Sequence, residues 1–387
     1  MSLFFDETHK TLQETVRRFA DQELRPRAAE LDEEQGFNLE AMKKLGELGL
    51  LGVTADPNHG GSGMDAVAAT LAMEELGAAC ASTALSYLAH SILAVNNLSV
   101  NGSEEQKAKY LPKLCSGEWI GSMAISEPGS GSDAFGLKTE AKKKGDKYIL
   151  NGTKMWITNA SHSDFFWVYA KTGPTKKDIS TFIVEKSFPG FSVSRKLDKF
   201  GMRASPTCEL VFENCEVPEE NLVGSEGGSI AHMNHNLLIE RVTISGISLG
   251  IARECIKYCT AYAKDRKQFE KPLMDFQMIQ KMLADATAEY LSARSLTYEA
   301  AVAIDRLGVE SQEALMLGTS AKLFAAQVGT KVALDAIQIL GGYGYTKEYP
   351  VERYMRDAKL MEIGAGTNEV MRIILARLLM KDVFPGI

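Results

Sequence analysis

The spacing of apolar residues changes character twice along this chain, and that double switch limits its fold more than any other feature. Up to about Cys115 the pattern is helical: Leu12, Val16, Phe19 and Leu24 recur at near-helical spacing until Pro26 disturbs them. Ser103-Glu104-Glu105-Gln106 has the form of a capping box, in which the hydroxyl and the Gln side chain cover free amides. From Glu118 to about Pro218 the texture turns to β. Phe165–Ala170, Thr181–Val184 and Cys208–Phe212 are short β-rich runs between Gly, Pro and charged turns. Gly224-Ser225-Glu226-Gly227-Gly228 then punctuates the chain, and helical patterns follow near 229–266, 275–306, 310–340 and 368–381. This order predicts an α+β multidomain fold: an N-terminal helical domain over 1–117, a middle β-sheet or barrel domain over 118–228, and a C-terminal four-helix bundle domain over 229–387. A length of 387 residues, long for one core, agrees with such a division.

Composition narrows the function classes. A formal charge of -7 argues against nucleic acid or an anionic membrane as partner. The apolar run from Ala66 to Val95 contains Glu74, Glu75 and His90, so it reads as buried helix and not as a membrane span. The start, Met-Ser-Leu-Phe-Phe-Asp-Glu, has no basic segment leading into an apolar one, and no signal peptide is expected. The six cysteines form no CxxC pair. Cys255 and Cys259 lie one helical turn apart, as His232 and His235 nearly do, and either pair would need further converging ligands to hold a metal. Buried free thiols in a reducing compartment, and no metal, are the expectation.

Two segments carry chemistry. The first is Met123-Ala124-Ile125-Ser126-Glu127-Pro128-Gly129-Ser130-Gly131-Ser132-Asp133, an apolar strand that breaks at Pro128 into a loop of small residues and hydroxyls. The second is Lys154-Met155-Trp156-Ile157-Thr158-Asn159, just after Asn151-Gly152, a pair suited to a tight hairpin turn. A glycine-rich loop alone marks only a turn, and a lone Trp in a strand is ordinarily core. Together they supply backbone amides, two hydroxyls and an indole face, the needs of a flat ring with polar edges. In this order and spacing they resemble the acyl-CoA dehydrogenase family, and the resemblance covers nearly the whole chain.

That resemblance implies FAD contacts from Met123, Ala124, Ile125, Ser126, Gly131 and Ser132, with Trp156, Ile157 and Thr158 against the isoalloxazine and Ser132 also facing the acyl-CoA. It implies that Arg266, Phe269 and Gln277, and also Gln338, Gly341 and Gly342 of Gln338-Ile339-Leu340-Gly341-Gly342-Tyr343-Gly344, reach FAD, some across a subunit interface. Read by themselves, Arg266 is a basic helix end and the glycines a helix–helix turn. Thr367 and Glu369 complete the implied cofactor set. Glu270 stands where relatives usually have glycine.

Many family members place a glutamate directly before the Gly-Thr of the Gly364-Ala365-Gly366-Thr367 motif. Here Ala365 stands there and cannot abstract a proton. The family's other arrangement puts the glutamate before an arginine on the helix that opens the bundle, as in Asn236-Leu237-Leu238-Ile239-Glu240-Arg241. A Glu-Arg neighbour pair on a helix is usually solvated, but Leu237, Leu238, Ile239 and Val242 imply burial, which raises a carboxyl pKa toward that of a base at neutral pH. Glu240 is therefore the expected catalytic base. Leu237, Arg241, Gly364, Ala365, Gly366 and Ser132 are expected to touch substrate, although Leu238, where relatives often carry an acid, puts one CoA contact in doubt. Gly364 leaves room beside the substrate β-carbon, as in the branched-chain members of the family.

The implied reaction is α,β-dehydrogenation of a short branched acyl-CoA, with electrons passed to an electron-transfer flavoprotein by a homotetramer. A cyclic, aromatic or dicarboxylic substrate, an oxidase of the same fold and a non-catalytic acyl-CoA-binding homologue are the alternatives. The implied compartment is a bacterial cytoplasm, or the mitochondrial matrix for a processed eukaryotic form.

Overall fold

The computed structural model describes residues 4–381 and 383. The outermost residues of the first and last expected domains, 1–3, 382 and 384–387, lie outside the described residues, as does part of the segment read for a signal peptide. Seven helices come first: α1 (Glu7–Phe19), α2 (Ala28–Glu34), α3 (Leu39–Glu47), α4 (Ala66–Ala79), α5 (Ala81–Tyr87), α6 (Asn97–Asn101) and α7 (Glu104–Ser116). The middle holds β1 (Gly121–Ala124), β2 (Glu140–Lys144), β3 (Lys147–Thr158), β4 (Phe165–Lys171), β5 (Ile179–Glu185), β6 (Phe191–Lys196), β7 (Thr207–Pro218) and β8 (Leu222–Val223). The rest is α8 (Ser229–Asp265), a hairpin of β9 (Lys267–Gln268) and β10 (Lys271–Pro272), α9 (Gln277–Leu307), α10 (Gln312–Leu340), α11 (Val351–Met361) and α12 (Asn368–Leu379).

The Ser103 capping box forms as expected, with Gln106 N–H donating to the Ser103 hydroxyl and Ser103 N–H to the Gln106 side-chain Oε1. The run from Ala66 to Val95 is buried but is not one helix. Cys80 is extended (φ -153°, ψ 99°) between α4 and α5, and a π-helical stretch, Leu88–Asn96, carries the chain into α6. The bundle also departs from four long helices: α8, α9 and α10 have 37, 31 and 29 residues, whereas α12 has 12 and the unexpected α11 has 11.

The sheet runs β6-β7-β3-β2-β4-β5-β8, with β1 parallel to β4. β4 is buried from Phe165 to Ala170 because both of its faces are covered. Phe165, Trp167 and Tyr169 pack toward the N-terminal helices, and Phe166, Val168 and Ala170 into the interior of the sheet domain. Asn151-Gly152 is not a hairpin turn. It lies inside β3, where the register with β7 shifts between Leu150 and Gly152. Gly152 (φ 148°) bulges there because a Cβ would meet Thr139 Oγ1 at 2.6 Å; the hairpin closes between Lys144 and Lys147.

α8 is the axis of the molecule. It crosses α4 at near-contact distance, since a Cβ on Gly250 would lie 2.5 Å from the Ala78 nitrogen and one on Gly246 2.7 Å from Met73 Cβ. α10 covers another side, with Gly329 against Ser248. Gln312–Tyr345 is long and apolar enough to cross a membrane, but half of it is buried within this bundle, as in the core helix of a globular domain.

Candidate active site

The first cluster grows out of β1 and β3. Met155 N–H donates to Ser126 O at 2.9 Å, which ties the two segments together. Beneath them Lys154 Nζ, wholly buried, donates to Glu127 Oε1 at 2.9 Å and to Ile125 O at 3.1 Å, while Glu127 also accepts the Lys138 and Thr139 N–H groups. Burial pulls the Lys154 ammonium down to about 8, and Lys154 itself holds Glu127 below its usual value against the effect of burial. Sequence reasoning missed this pair, since nothing in a lysine at one strand and a glutamate before a proline says that they meet.

A second register shift in β3, between Lys154 and Ile157, puts Trp156 in the left-handed region (φ 61°) and leaves it 54% exposed. That conformation is rare for a bulky residue and signals a functional constraint. Ser126 and Thr158 are half-buried, and among the described residues their hydroxyls have no hydrogen-bond partner. Ser122 Oγ donates to Thr158 O and fixes the strand end. Gly131 and Ser132 are exposed, and a Cβ at Gly129 or Gly131 would meet nothing within 4 Å. An open loop, free hydroxyls and a presented indole fit a flavin.

Glu240 sits on α8, 6% exposed. Neither carboxylate oxygen has a hydrogen-bond partner among the described residues. Burial pushes its pKa up to about 7, against the Arg241 and Lys322 cations that pull it down. Arg241 is buried as well, its Nε has no partner among the described residues, and desolvation lowers its pKa. One turn earlier Asn236 is 1% exposed, with Oδ1 unpartnered and Nδ2 3.4 Å from Met123 Sδ. Asn236 was not singled out from sequence. Leu237 is half-buried, and Leu238 faces α10, where a Cβ on Gly318 would meet its Cδ1 at 2.6 Å. The hydrocarbon at 238 thus fills the bundle.

After α11 the chain turns through Ala365 (φ 55°) and Gly366 (φ 89°) into α12, which Thr367 caps by accepting Val370 N–H at 3.2 Å. The N–H groups of Ala365, Gly366 and Thr367 donate to nothing among the described residues, so this turn can offer donors to a carbonyl. Gly364 has only Leu360 O, at 3.5 Å, near the place of a Cβ. Lys322 Nζ of α10 reaches Gly366 O at 2.7 Å. Its one sequence signal was a lone charge in the apolar run from Leu317 to Ala326.

The remaining predicted residues form a separate exposed set. The Arg266 guanidinium stands over the Tyr343 ring (5.8 Å), joining the β9–β10 hairpin to the Gly341–Gly342 turn, where Gly341 has φ 61° and neither glycine has an atom within 4 Å of a Cβ position. Phe269, Gln277 and Gln338 are exposed nearby in sequence, as is Glu369, whose partner is Arg372 at 3.4 Å. Glu270 takes φ 67°, the left-handed conformation glycine adopts freely, so the turn is kept without the glycine. All six cysteines are free and buried, and no three His, Cys, Asp or Glu side chains converge among the described residues.

Three domain models match in series: acyl-CoA dehydrogenase N-terminal domain at 6–118, middle domain at 122–215 and C-terminal domain at 227–380. The chain belongs to the acyl-CoA dehydrogenase family. It is 45% identical to the mitochondrial isovaleryl-CoA dehydrogenase of Oryza sativa subsp. japonica, over 98% of this chain and 93% of that protein. Butyryl-CoA dehydrogenase from Megasphaera elsdenii superposes with a TM-score of 0.94 at 36% identity, over 98% of this chain and 100% of the other. A chain from the structure of the electron transferring flavoprotein of Acidaminococcus fermentans gives 0.95 at 38%, over 99% and 100%. This acyl-CoA dehydrogenase is thus a flavin-dependent oxidoreductase with a helical N-terminal domain, a middle β domain and a helical C-terminal domain.

Proposed function

We propose that this acyl-CoA dehydrogenase oxidises a short branched acyl-CoA of the isovaleryl kind to the 2-enoyl-CoA, with Glu240 as base and FAD as cofactor. The observation that carries the reading is Glu240 itself: a buried carboxyl without a hydrogen-bond partner among the described residues, raised to about 7, in a chain whose other family position for a base is Ala365. Ser126, Thr158 and Trp156 would hold the isoalloxazine, which when bound accepts the β-hydrogen as hydride and passes the electrons on. Glu240 takes the α-proton onto its carboxylate. The free N–H groups of the turn at 365–367 face the charge that grows on the thioester oxygen. Arg241, with its Nε unpartnered, orders the CoA side, and the space at Gly364 admits a branch at the β-carbon.

The exposed set around Arg266, Phe269, Gln277, Gln338 and Gly342 would complete the cofactor site of a second copy in a homotetramer, and the similarity to the Acidaminococcus chain supports an electron-transfer flavoprotein as acceptor. Six buried free thiols suit a reducing compartment, a bacterial cytoplasm or the mitochondrial matrix. The test is anaerobic bleaching of the flavin by isovaleryl-, butyryl-, octanoyl-, glutaryl- and cyclohexanecarboxyl-CoA. Fastest bleaching by isovaleryl-CoA is expected. Preference for the cyclic or dicarboxylic thioester would replace the substrate, rapid reoxidation by oxygen would replace the acceptor, and no bleaching would remove the reading.

A further inference from the structure

Lys322 is a buried lysine that makes no ion pair or hydrogen bond to a carboxylate among the described residues. It is 1% exposed, a state lysine rarely tolerates unless paired, yet its hydrogen bonds go to neutral oxygens: Gly366 O at 2.7 Å and Asn368 Oδ1 at 3.3 Å. A neutral donor would hold those oxygens without the cost of desolvating a charge. We propose that Lys322 is a positioning residue for the dehydrogenation, its one ammonium fixing the turn that receives the thioester carbonyl from the face of α10 that packs on the Glu240 stretch of α8. The proposal rests on Glu240 being the base.

The first half follows from the backbone. Ala365 and Gly366 are left-handed in succession (φ 55° and 89°), a conformation an alanine does not hold unaided. Gly366 C=O belongs to the same peptide as Thr367 N–H. In a trans peptide the two point in opposite directions, so a lysine gripping the oxygen aims the hydrogen away from α10. A charge-assisted bond to that oxygen also polarises the peptide and makes its N–H a stronger donor. Asn368, the second acceptor, is the first residue of α12, so the same ammonium ties the turn to the helix that follows it.

The second half follows from the packing of α10 on α8: at Gly318, one turn before Lys322, a Cβ would lie 2.6 Å from Leu238 and 3.0 Å from Val242, the residues that flank Glu240. Arg241 from α8 and Lys322 from α10 act on it as cations, and from β4 the Tyr169 phenol feels its charge. Burial pulls Lys322 down to about 8, while the charges of Glu240, Glu362 and Glu369 act to raise it and that of Arg241 to lower it. Loss of the Lys322 cation therefore shifts Glu240 toward its protonated form, which cannot abstract a proton.

The test uses flavin-loaded Lys322→Met and Lys322→Arg proteins. It reads the pH profile of substrate-driven bleaching, the affinity for a non-reactive 3-thia acyl-CoA, flavin content and thermal melting. Lys322→Met should bleach roughly 10- to 100-fold more slowly near pH 7, bind the analogue more weakly, and move the acid limb of the profile up by about one pH unit as a cation beside Glu240 is lost. Lys322→Arg should keep the acid limb, because the charge stays, and still lose rate, because a planar fork does not reproduce the two lysine contacts. A folded, flavin-replete Lys322→Met protein with unaltered rate and limb overturns the proposal, as does a loss of rate with the limb unmoved. If Lys322→Met does not fold, Lys322→Arg decides: lower rate and weaker analogue binding at an unmoved limb support positioning, and wild-type values overturn it. An active Glu240→Gln protein would sink the base assignment, a separate failure from an inert Glu240→Gln beside an unaffected Lys322→Met.

Discussion

Lys154 and Glu127 form an ion pair closed off from solvent directly beneath the two segments that present Ser126 and Trp156, with Nζ 2.9 Å from Oε1. One edge of that pair holds Ile125 O, the other the N–H groups of Lys138 and Thr139, so a single buried contact braces the strand before the loop and the chain after it. Replacing Lys154 by Met strands Glu127 in the interior. We expect a loss of about 3–5 kcal/mol in unfolding free energy, with release of flavin during gel filtration. A melting curve and the flavin-to-protein absorbance ratio check both, and a variant that stays stable and yellow would show the brace to be dispensable.

Glu240→Gln keeps the shape of the side chain and removes its basicity. Bleaching should slow by about 10²- to 10⁴-fold, the usual contribution of a positioned base, while acyl-CoA binding stays near the wild-type affinity. Stopped-flow reduction and a binding titration separate the two.

Glu240 also ties rate to pH in a defined direction. Its carboxyl is raised to about 7, and only the ionised form accepts a proton, so the bleaching rate should climb as pH rises through about 7. Stability runs the other way. A group with a raised folded pKa contributes stability that is complete below its unfolded pKa, 4.5, and is lost as pH rises through about 7. Glu240→Gln, which stays neutral, should therefore be the more stable protein above pH 7, on the order of 2–3 kcal/mol, with the gap closing toward pH 4. Urea melts at several pH values measure it.

At Gly364 a Cβ would meet only Leu360 O, at 3.5 Å, so the backbone there admits a side chain and Gly364→Tyr is expected to fold. The phenol would occupy the space proposed for a branch at the β-carbon. The preference for isovaleryl- over butyryl-CoA should fall by roughly 10-fold or more, a steric loss comparable to one or two methyl groups in a pocket. Paired kcat/KM values decide it.

Phe269, Met278 and Tyr345 are 87%, 69% and 86% exposed, and the proposed homotetramer would cover Phe269 where it completes a neighbouring cofactor site. Phe269→Glu should lower the assembly state seen in analytical ultracentrifugation and lower the bound flavin with it. A tetramer with full flavin would remove Phe269 from the interface.

Much of the architecture was legible because it depends on local periodicity. The β-rich runs at 165–170, 181–184 and 208–212 all fall within strands, and the Ser103 capping box forms, because each signal involves residues a few positions apart. The local reading went astray where the partner lay far along the chain. Asn151-Gly152 has the composition of a hairpin turn, but pairing with β7 and the approach of Thr139 make it a bulge. Ala66–Val95 has the apolarity of one helix, yet it bends at Cys80. Glu240 could be nominated from its apolar neighbours and from the alanine at 365. By itself the sequence determined the order of the helical and β segments and the family, and nominated Glu240 for the proposed role of base, since those are written in spacing and residue type. Only the tertiary structure decided that Glu240 is buried with no hydrogen-bond partner among the described residues, that Lys154 closes on Glu127 and that Lys322 grips Gly366, because burial and pairing are set by segments that meet only once the chain has folded.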